Sequence, residues 1–143
     1  MEVFKMTKKD NLNNLTEAIN QRDPIIFGDC SLAAYDEHEG LRYFADLTVE
    51  QFEQLVEQGF IDLEEEVNLQ PKYKVFLAFM REFQGYCAAG SAVARDNQFF
   101  IRIDCLEKPG GADSDRELEQ FVKLSLRADD YLISPRKLFS WFD

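Results

Sequence analysis

Between Pro71 and Gly85 the chain places Tyr73, Phe76, Leu77, Phe79, Met80 and Phe83 at helical spacings that spread over much of a helix's circumference. A helix apolar on so many sides cannot lie on a surface. It has to be central, with the other elements packed around it. Pro71 suits its first turn, where a backbone N–H would have no helical acceptor, and Gly85 ends it.

A second helix is marked upstream. Thr48 and Gln51 have capping-box spacing, and Leu47 and Phe52 stand where a hydrophobic staple would hold them. The helix from Val49 to Gln58 that follows puts Val49, Phe52, Leu55 and Val56 on one face, and Gly59 suits a left-handed end. Nearer the N-terminus, Leu12, Leu15 and Ile19 predict a helix over Asp10 to Gln21, capped by Asp10 and ended by Arg22-Asp23-Pro24. Ile25 to Phe27 then reads as a short buried strand. The segment 28–40 has no clear period and carries no assignment.

Beyond the central helix the period changes to two. Phe99, Ile101, Ile103 and Cys105 alternate with Phe100, Arg102 and Asp104, and Arg95-Asp96-Asn97 can turn, which predicts a β-hairpin near residues 86–107. Phe99 and Phe100 must then face opposite ways, making Phe100 a candidate contact residue unless both sheet faces are covered. Gly90 inside the strand marks close packing or a bulge. Lys108 to Ala112 reads as a loop, after which Ser114 or Asp115 caps a helix carrying Leu118, Phe121, Val122 and Leu126. Tyr131 to Ile133 reads as a strand. Ser134-Pro135 reads as the start of a short helix whose Leu138, Phe139, Trp141 and Phe142 pin the end of the chain to the core.

The order helix, helix, helix, hairpin, helix argues against βαβ units. The expected fold class is α+β, with about four helices packed on a small antiparallel sheet. A length of 143 residues suits one globular domain spanning 1–143. No internal repeat or linker divides the chain, and nothing in it sets an oligomeric state.

Cys30, Cys87 and Cys105 make an odd set without a CxxC pair, so neither a disulfide framework nor a zinc knuckle is expected, and all three read as small buried hydrophobes. The first ten residues mix charges where a secretory signal needs an apolar run, and no window approaches a membrane span. The expected location is the cytoplasm.

Charge is distributed unevenly. Residues 1–71 hold 16 acidic and 5 basic side chains, whereas residues 72–143 hold 11 of each, so the net charge of -11 resides entirely in the first half. From Tyr43 to Pro71 there is no Lys or Arg, yet Asp46, Glu50, Glu53, Glu57, Asp62, Glu64, Glu65 and Glu66 all fall there. Glu50, Glu53 and Glu57 are three and four apart and form one outward stripe on their helix. A solvating role suits such a surface, and so does docking on something basic, since opposed potentials speed association and reject wrong partners. Direct binding of DNA or RNA is disfavoured, because neutralising phosphates takes clustered Lys and Arg.

Catalysis has weaker support. His38 is the only histidine, and Cys30 with Asp29, Asp36, Glu37 and Glu39 nearby suggests either a thiolate activated by His38 or a divalent-metal site. Neighbouring carboxylates, however, raise a thiol's pKa, and the spacings match neither HExxH nor a calcium loop. Pro109-Gly110-Gly111-Ala112 lacks the GKS/T ending of a phosphate-binding loop. No cofactor, metal or catalytic residue is therefore assigned. The expectation is a non-catalytic acidic binding protein that docks a basic protein through Asp46, Glu50, Glu53, Glu57, Asp62, Glu64, Glu65 and Glu66, of the immunity, antitoxin or nucleic-acid-mimic type. The alternatives are a small enzyme using Cys30 and His38, and a structural or regulatory subunit associating through Leu138–Phe142.

Overall fold

In the computed structural model, which describes residues 11–65, 70–95 and 98–142, the described residues form four α-helices and five strands, with a short 3-10 turn at Leu32–Ala34 between the first helix and the first strand. The helices and strands are α1 (Asn11–Phe27), β1 (Leu41–Leu47), α2 (Val49–Glu57), α3 (Tyr73–Glu82), β2 (Cys87–Arg95), β3 (Gln98–Pro109), α4 (Asp115–Leu124), β4 (Asp130–Ile133) and β5 (Lys137–Trp141). The fold is α+β: four helices and one antiparallel sheet in the order β1-β2-β3-β5-β4. The predicted hairpin is β2–β3, paired from Cys87↔Glu107 to Arg95↔Gln98. The expected turn residues Asp96 and Asn97 lie outside the described residues.

Local chemistry explains α2 well. The Thr48 hydroxyl accepts from the Gln51 N–H while the Gln51 side chain accepts from the Thr48 N–H, so both halves of the capping box are made. Gln51 also donates to the carbonyl of Ile25 at 2.9 Å, tying α2 to the end of α1. In α3, Tyr73, Phe76, Leu77, Phe79 and Met80 are buried, and Gly85 follows at φ 96°. The cap is Lys72, so Pro71 sits one residue before it and not in the first turn.

Four further expectations about the elements are corrected. First, α1 does not stop at Gln21 but continues through Pro24 to Phe27, so Ile25–Phe27 is helical and not a strand. The missing Pro24 N–H removes one helical bond, but Arg22, Asp23 and Ile26 are buried in this last stretch and tertiary packing holds it. Gly28, at φ 75°, then donates to the Pro24 carbonyl and closes the helix. The proposed Asp10 cap lies outside the described residues. Second, the C-terminal segment is strand β5, not a helix. The Ser134 hydroxyl accepts from the N–H groups of Arg136 and Lys137, which bends the chain back into the β4–β5 hairpin. Third, β3 runs on through Lys108, which is a buried strand residue and not part of a loop. Fourth, the buried residues of α4 are Glu117, Phe121 and Leu124; Val122 is exposed, and Leu126 lies beyond the helix end and is exposed too. Among the cysteines, only Cys105 is buried; Cys87 is half-buried and Cys30 exposed.

The sheet has two unlike faces. Phe44, Leu47, Ala88, Ala92, Phe99, Ile101, Ile103, Leu106 and Leu138 join Leu15, Ile19, Phe52, Leu55, Phe76, Leu77, Phe121 and Leu124 in one core cluster. Each helix contributes to it, so the four lie on one side of the sheet. The residues that alternate with the strand members, among them Leu41, Val93, Phe100, Cys105 and Phe139, stand outside that cluster. No described helix covers their face. A bulge between Ala89 and Gly90 lies at the middle of the sheet, where the Gly90 backbone passes directly over the Arg102 carbonyl.

Candidate functional site

The acidic residues divide into countered and free charges. Glu53 accepts from Arg81 of α3 at 3.0 Å, and Glu64 accepts from Lys74 at 2.9 Å and Lys72 at 3.3 Å. The counter-charges missing from 43–71 are thus supplied by the start and end of the neighbouring helix. The Lys74 and Lys72 ammonium groups hold the exposed Glu64 carboxyl below its ordinary value. The Asp62 carboxylate accepts from the Glu64 N–H at 3.0 Å, which lowers its pKa. Half-buried Glu65 is shifted the other way, first by burial and then by the Asp62 charge. Glu66 lies outside the described residues.

Asp46, Glu50 and Glu57 are exposed and have no ion-pair partner among the described residues. Asp46 is the penultimate residue of β1 and Glu50 the second of α2, with the Thr48 cap between them. Their potential registers on a third residue. Burial raises the Cys87 thiol above its ordinary value, and Asp46, Glu107 and Glu50 raise it further. Glu50 and Cys87 also line a cleft of about 480 Å³ between α2 and the end of α3, together with Glu53, Met80 and Tyr86. Two of the eight predicted residues thus sit at one end of the sheet, next to β2, while Glu64 and Asp62 belong to the loop before α3.

The Cys30 and His38 segment is not assembled for chemistry. Neither the Cys30 thiol nor the His38 ring makes a hydrogen bond or ion pair among the described residues; His38 engages Arg95 only through its carbonyl, at 2.8 Å. The Asp36 carboxylate is taken by the N–H groups of Glu39, Gly40 and Leu41, so it builds the turn into β1. Asp29 is bonded to Arg42 at 2.8 Å. Among the described residues no three His, Cys, Asp or Glu side chains converge on a metal position. At the α4 N-terminus the Ser114 hydroxyl already accepts from the Glu117 N–H, and Asp115 and Glu117 oppose a phosphate there.

Two buried charged groups were not foreseen. Arg22 and Asp23 are wholly buried under the sheet, and Lys108 with Glu117 closes the space between β3 and α4. Lys108 reaches Glu117 and Asp113, both at 2.9 Å, and Tyr86 donates to Glu117 at 2.7 Å. Lys108, Glu117 and Tyr86 satisfy one another, with exposed Asp113 closing the outer side, which marks the cluster as structural.

The C-terminal strand serves both sides of the sheet. Leu138, Ser140 and Phe142 are buried, whereas Phe139 and Trp141 lie on the face away from the described helices. No helix among the described residues is long and apolar enough to cross a membrane. Neither a family model, nor a curated protein, nor a solved structure matches this chain.

Proposed function

We propose that this chain is a non-catalytic, cytoplasmic binding protein that docks a basic protein partner, as immunity proteins, antitoxins and nucleic-acid mimics do. The observation that carries this reading is the exposure of Asp46, Glu50 and Glu57 with no counter-charge among the described residues, while Glu53 and Glu64 nearby are paired. Like charges left together on a surface repel one another by a few tenths of a kcal/mol per pair. A basic surface laid against them converts that repulsion into attraction and speeds encounter.

The test is capture of the partner from the native cell's lysate at low and high salt, followed by direct affinity measurement with charge-reversed protein. Asp46→Lys, Glu50→Lys and Glu57→Lys should each weaken binding, with the chain still folded and the loss shrinking as salt rises. Glu53 is the wrong residue to reverse, because its change would also strand Arg81. Affinity unaltered by all three substitutions would sink the reading.

A further inference from the structure

The two edges of the sheet are built differently. β1 is bulged between Phe44 and Leu47 and carries Arg42 and Asp46, and bulges and charges are what keep an edge strand from pairing. At the other edge β4 carries Tyr131, Leu132 and Ile133 in a row, 58%, 47% and 38% exposed, with no charge between them. Hydrogen bonding shows which of its backbone groups are open. Just past β5, Phe142 donates to the Asp104 carbonyl of β3, so by alternation Leu138 and Ser140 also face β3, while Lys137, Phe139 and Trp141 face β4. Their partners there are Ser134, Leu132 and Asp130. The N–H and C=O groups of Tyr131 and Ile133 therefore point out of the sheet, and no described strand pairs with them.

We propose that this edge pairs with the same edge of a second copy, antiparallel about a two-fold axis at Leu132, joining the two sheets into one. The open groups set the register. With Tyr131 opposite the second copy's Ile133, every outward N–H and C=O on both strands is bonded. A slide one way puts Tyr131 opposite Pro135, which has no N–H. A slide the other way puts Ile133 opposite Asp129, whose N–H already donates to the Trp141 carbonyl at 2.9 Å. The side chains agree with the same register. Tyr131 meets the second copy's Ile133, an aromatic against a β-branched residue, and Leu132 meets the second copy's Leu132. Asp130 comes opposite Ser134 and diagonal to Arg136, and both Asp130 and Arg136 are exposed without an ion-pair partner among the described residues. The segment is acidic at its head and basic at its tail, so antiparallel pairing brings unlike charges together at both ends. Residues 72–143, which include this edge, hold 11 acidic and 11 basic side chains, so the excess negative charge resides in the other half of the chain. Asp46 lies on β1 at the opposite edge, and the pairing stands independently of the acidic-surface reading. β4 has only four residues, a contact smaller than the roughly 800 Å² per partner of a standard interface, so the dimer is weak and concentration-dependent.

The full chain is followed by sedimentation velocity from low-micromolar to near-millimolar concentration, with amide hydrogen exchange read residue by residue at both ends of that range. A monomer–dimer equilibrium is expected. The Tyr131 and Ile133 amides should exchange fast in the monomer and slowly in the dimer, whereas Leu132, paired with Phe139, is protected in both. Asp130→Arg and Arg136→Asp, both at exposed positions, each set like charges together twice in a two-fold dimer and should weaken association roughly tenfold. Mixing the two variants, or making both changes in one chain, restores unlike pairs and should restore the dimer. A dimer that leaves the Tyr131 and Ile133 amides fast overturns the assignment to this edge. Single variants that associate like the unaltered chain, or that mixing does not rescue, overturn the register. A monomer at every concentration overturns the second copy as occupant and leaves the edge to an extended strand of another protein.

Discussion

Arg22 and Asp23 are neighbours in the chain, expose no side-chain surface to solvent and are joined by a 3.1 Å ion pair. The guanidinium also donates to the carbonyls of Val93 and Phe100 and to the Tyr35 hydroxyl, which donates in turn to the second Asp23 oxygen at 2.6 Å. It lies 3.8 Å over the Phe99 ring. One side chain therefore joins α1, the turn before β1, and the strands β2 and β3. Burying two charges is costly, and the cost is offset only because every polar atom around them is matched.

Removing one partner should expose that dependence. Asp23→Ala is expected to cost about 3–5 kcal/mol, the penalty of an uncompensated buried charge, and Tyr35→Phe about 1–3 kcal/mol for stranding its bonded neighbours. Urea unfolding followed by the emission of Trp141 measures both. A loss under 1 kcal/mol for Asp23→Ala would mean that water reaches the guanidinium.

The second buried cluster predicts a pH response. Burial alone would raise the Glu117 carboxyl, but the Asp113 N–H, the Tyr86 hydroxyl and the Lys108 ammonium outweigh it, so its pKa lies below the ordinary 4.5. A carboxyl depressed by folding adds stability that is fully present above its unfolded value and is lost as pH falls through the folded one. Glu117→Gln should therefore lower stability at neutral pH by about 1.5–3 kcal/mol, the worth of hydrogen bonds to a charge. It should also flatten the decline below pH 4.5. Melting curves from neutral to acid compare the two proteins. Parallel acid limbs would assign that decline to other carboxyls.

These two clusters also show where sequence reasoning reaches its limit. The α2 helix was legible because its signals, Thr48, Gln51 and Phe52, lie within five residues of one another. Arg22 was not, because its acceptors Val93 and Phe100 are 71 and 78 residues away, and a lone Arg beside Asp-Pro reads as a helix end. Strand β1 was missed for a related reason. It is an edge strand with only Phe44 and Leu47 buried, so its alternation is too weak to stand out. The last segment failed on ambiguity: Leu138, Phe139, Trp141 and Phe142 suit either period, and the Ser134 turn decided for a strand. Of the candidate site, the acidic composition was legible, but its pairing through Lys72, Lys74 and Arg81 depended on where α3 packs.

Gly90 provides a sharper steric test. A Cβ built there would lie 1.8 Å from the Arg102 carbonyl oxygen, a backbone atom that cannot swing aside. Gly90→Ala should therefore force the bulge open and cost about 3 kcal/mol or more, at the upper end of overpacking effects. The midpoint of chemical unfolding checks it. An alanine tolerated within 1 kcal/mol would show that β2 and β3 can separate locally without loss.

The acidic end of the sheet can be probed without any partner, through thiol chemistry. Reaction with iodoacetamide requires the thiolate, so a raised pKa and burial both slow it. Exposed Cys30 should react first and half-buried Cys87 more slowly. Cys105, pushed up to about 12 by burial and the nearby Glu107 and Asp104 charges, should stay unmodified until the protein unfolds. Because Asp46, Glu107 and Glu50 contribute to the Cys87 shift, Glu50→Gln should speed its alkylation at neutral pH and leave Cys30 unchanged. Added salt should act in the same direction by screening the carboxylates. Mass spectrometry of each cysteine peptide over time separates the three sites. A Cys87 rate indifferent to both Glu50→Gln and salt would place the control of that thiol in burial alone, and with it remove the evidence that negative potential is concentrated at this end of the sheet.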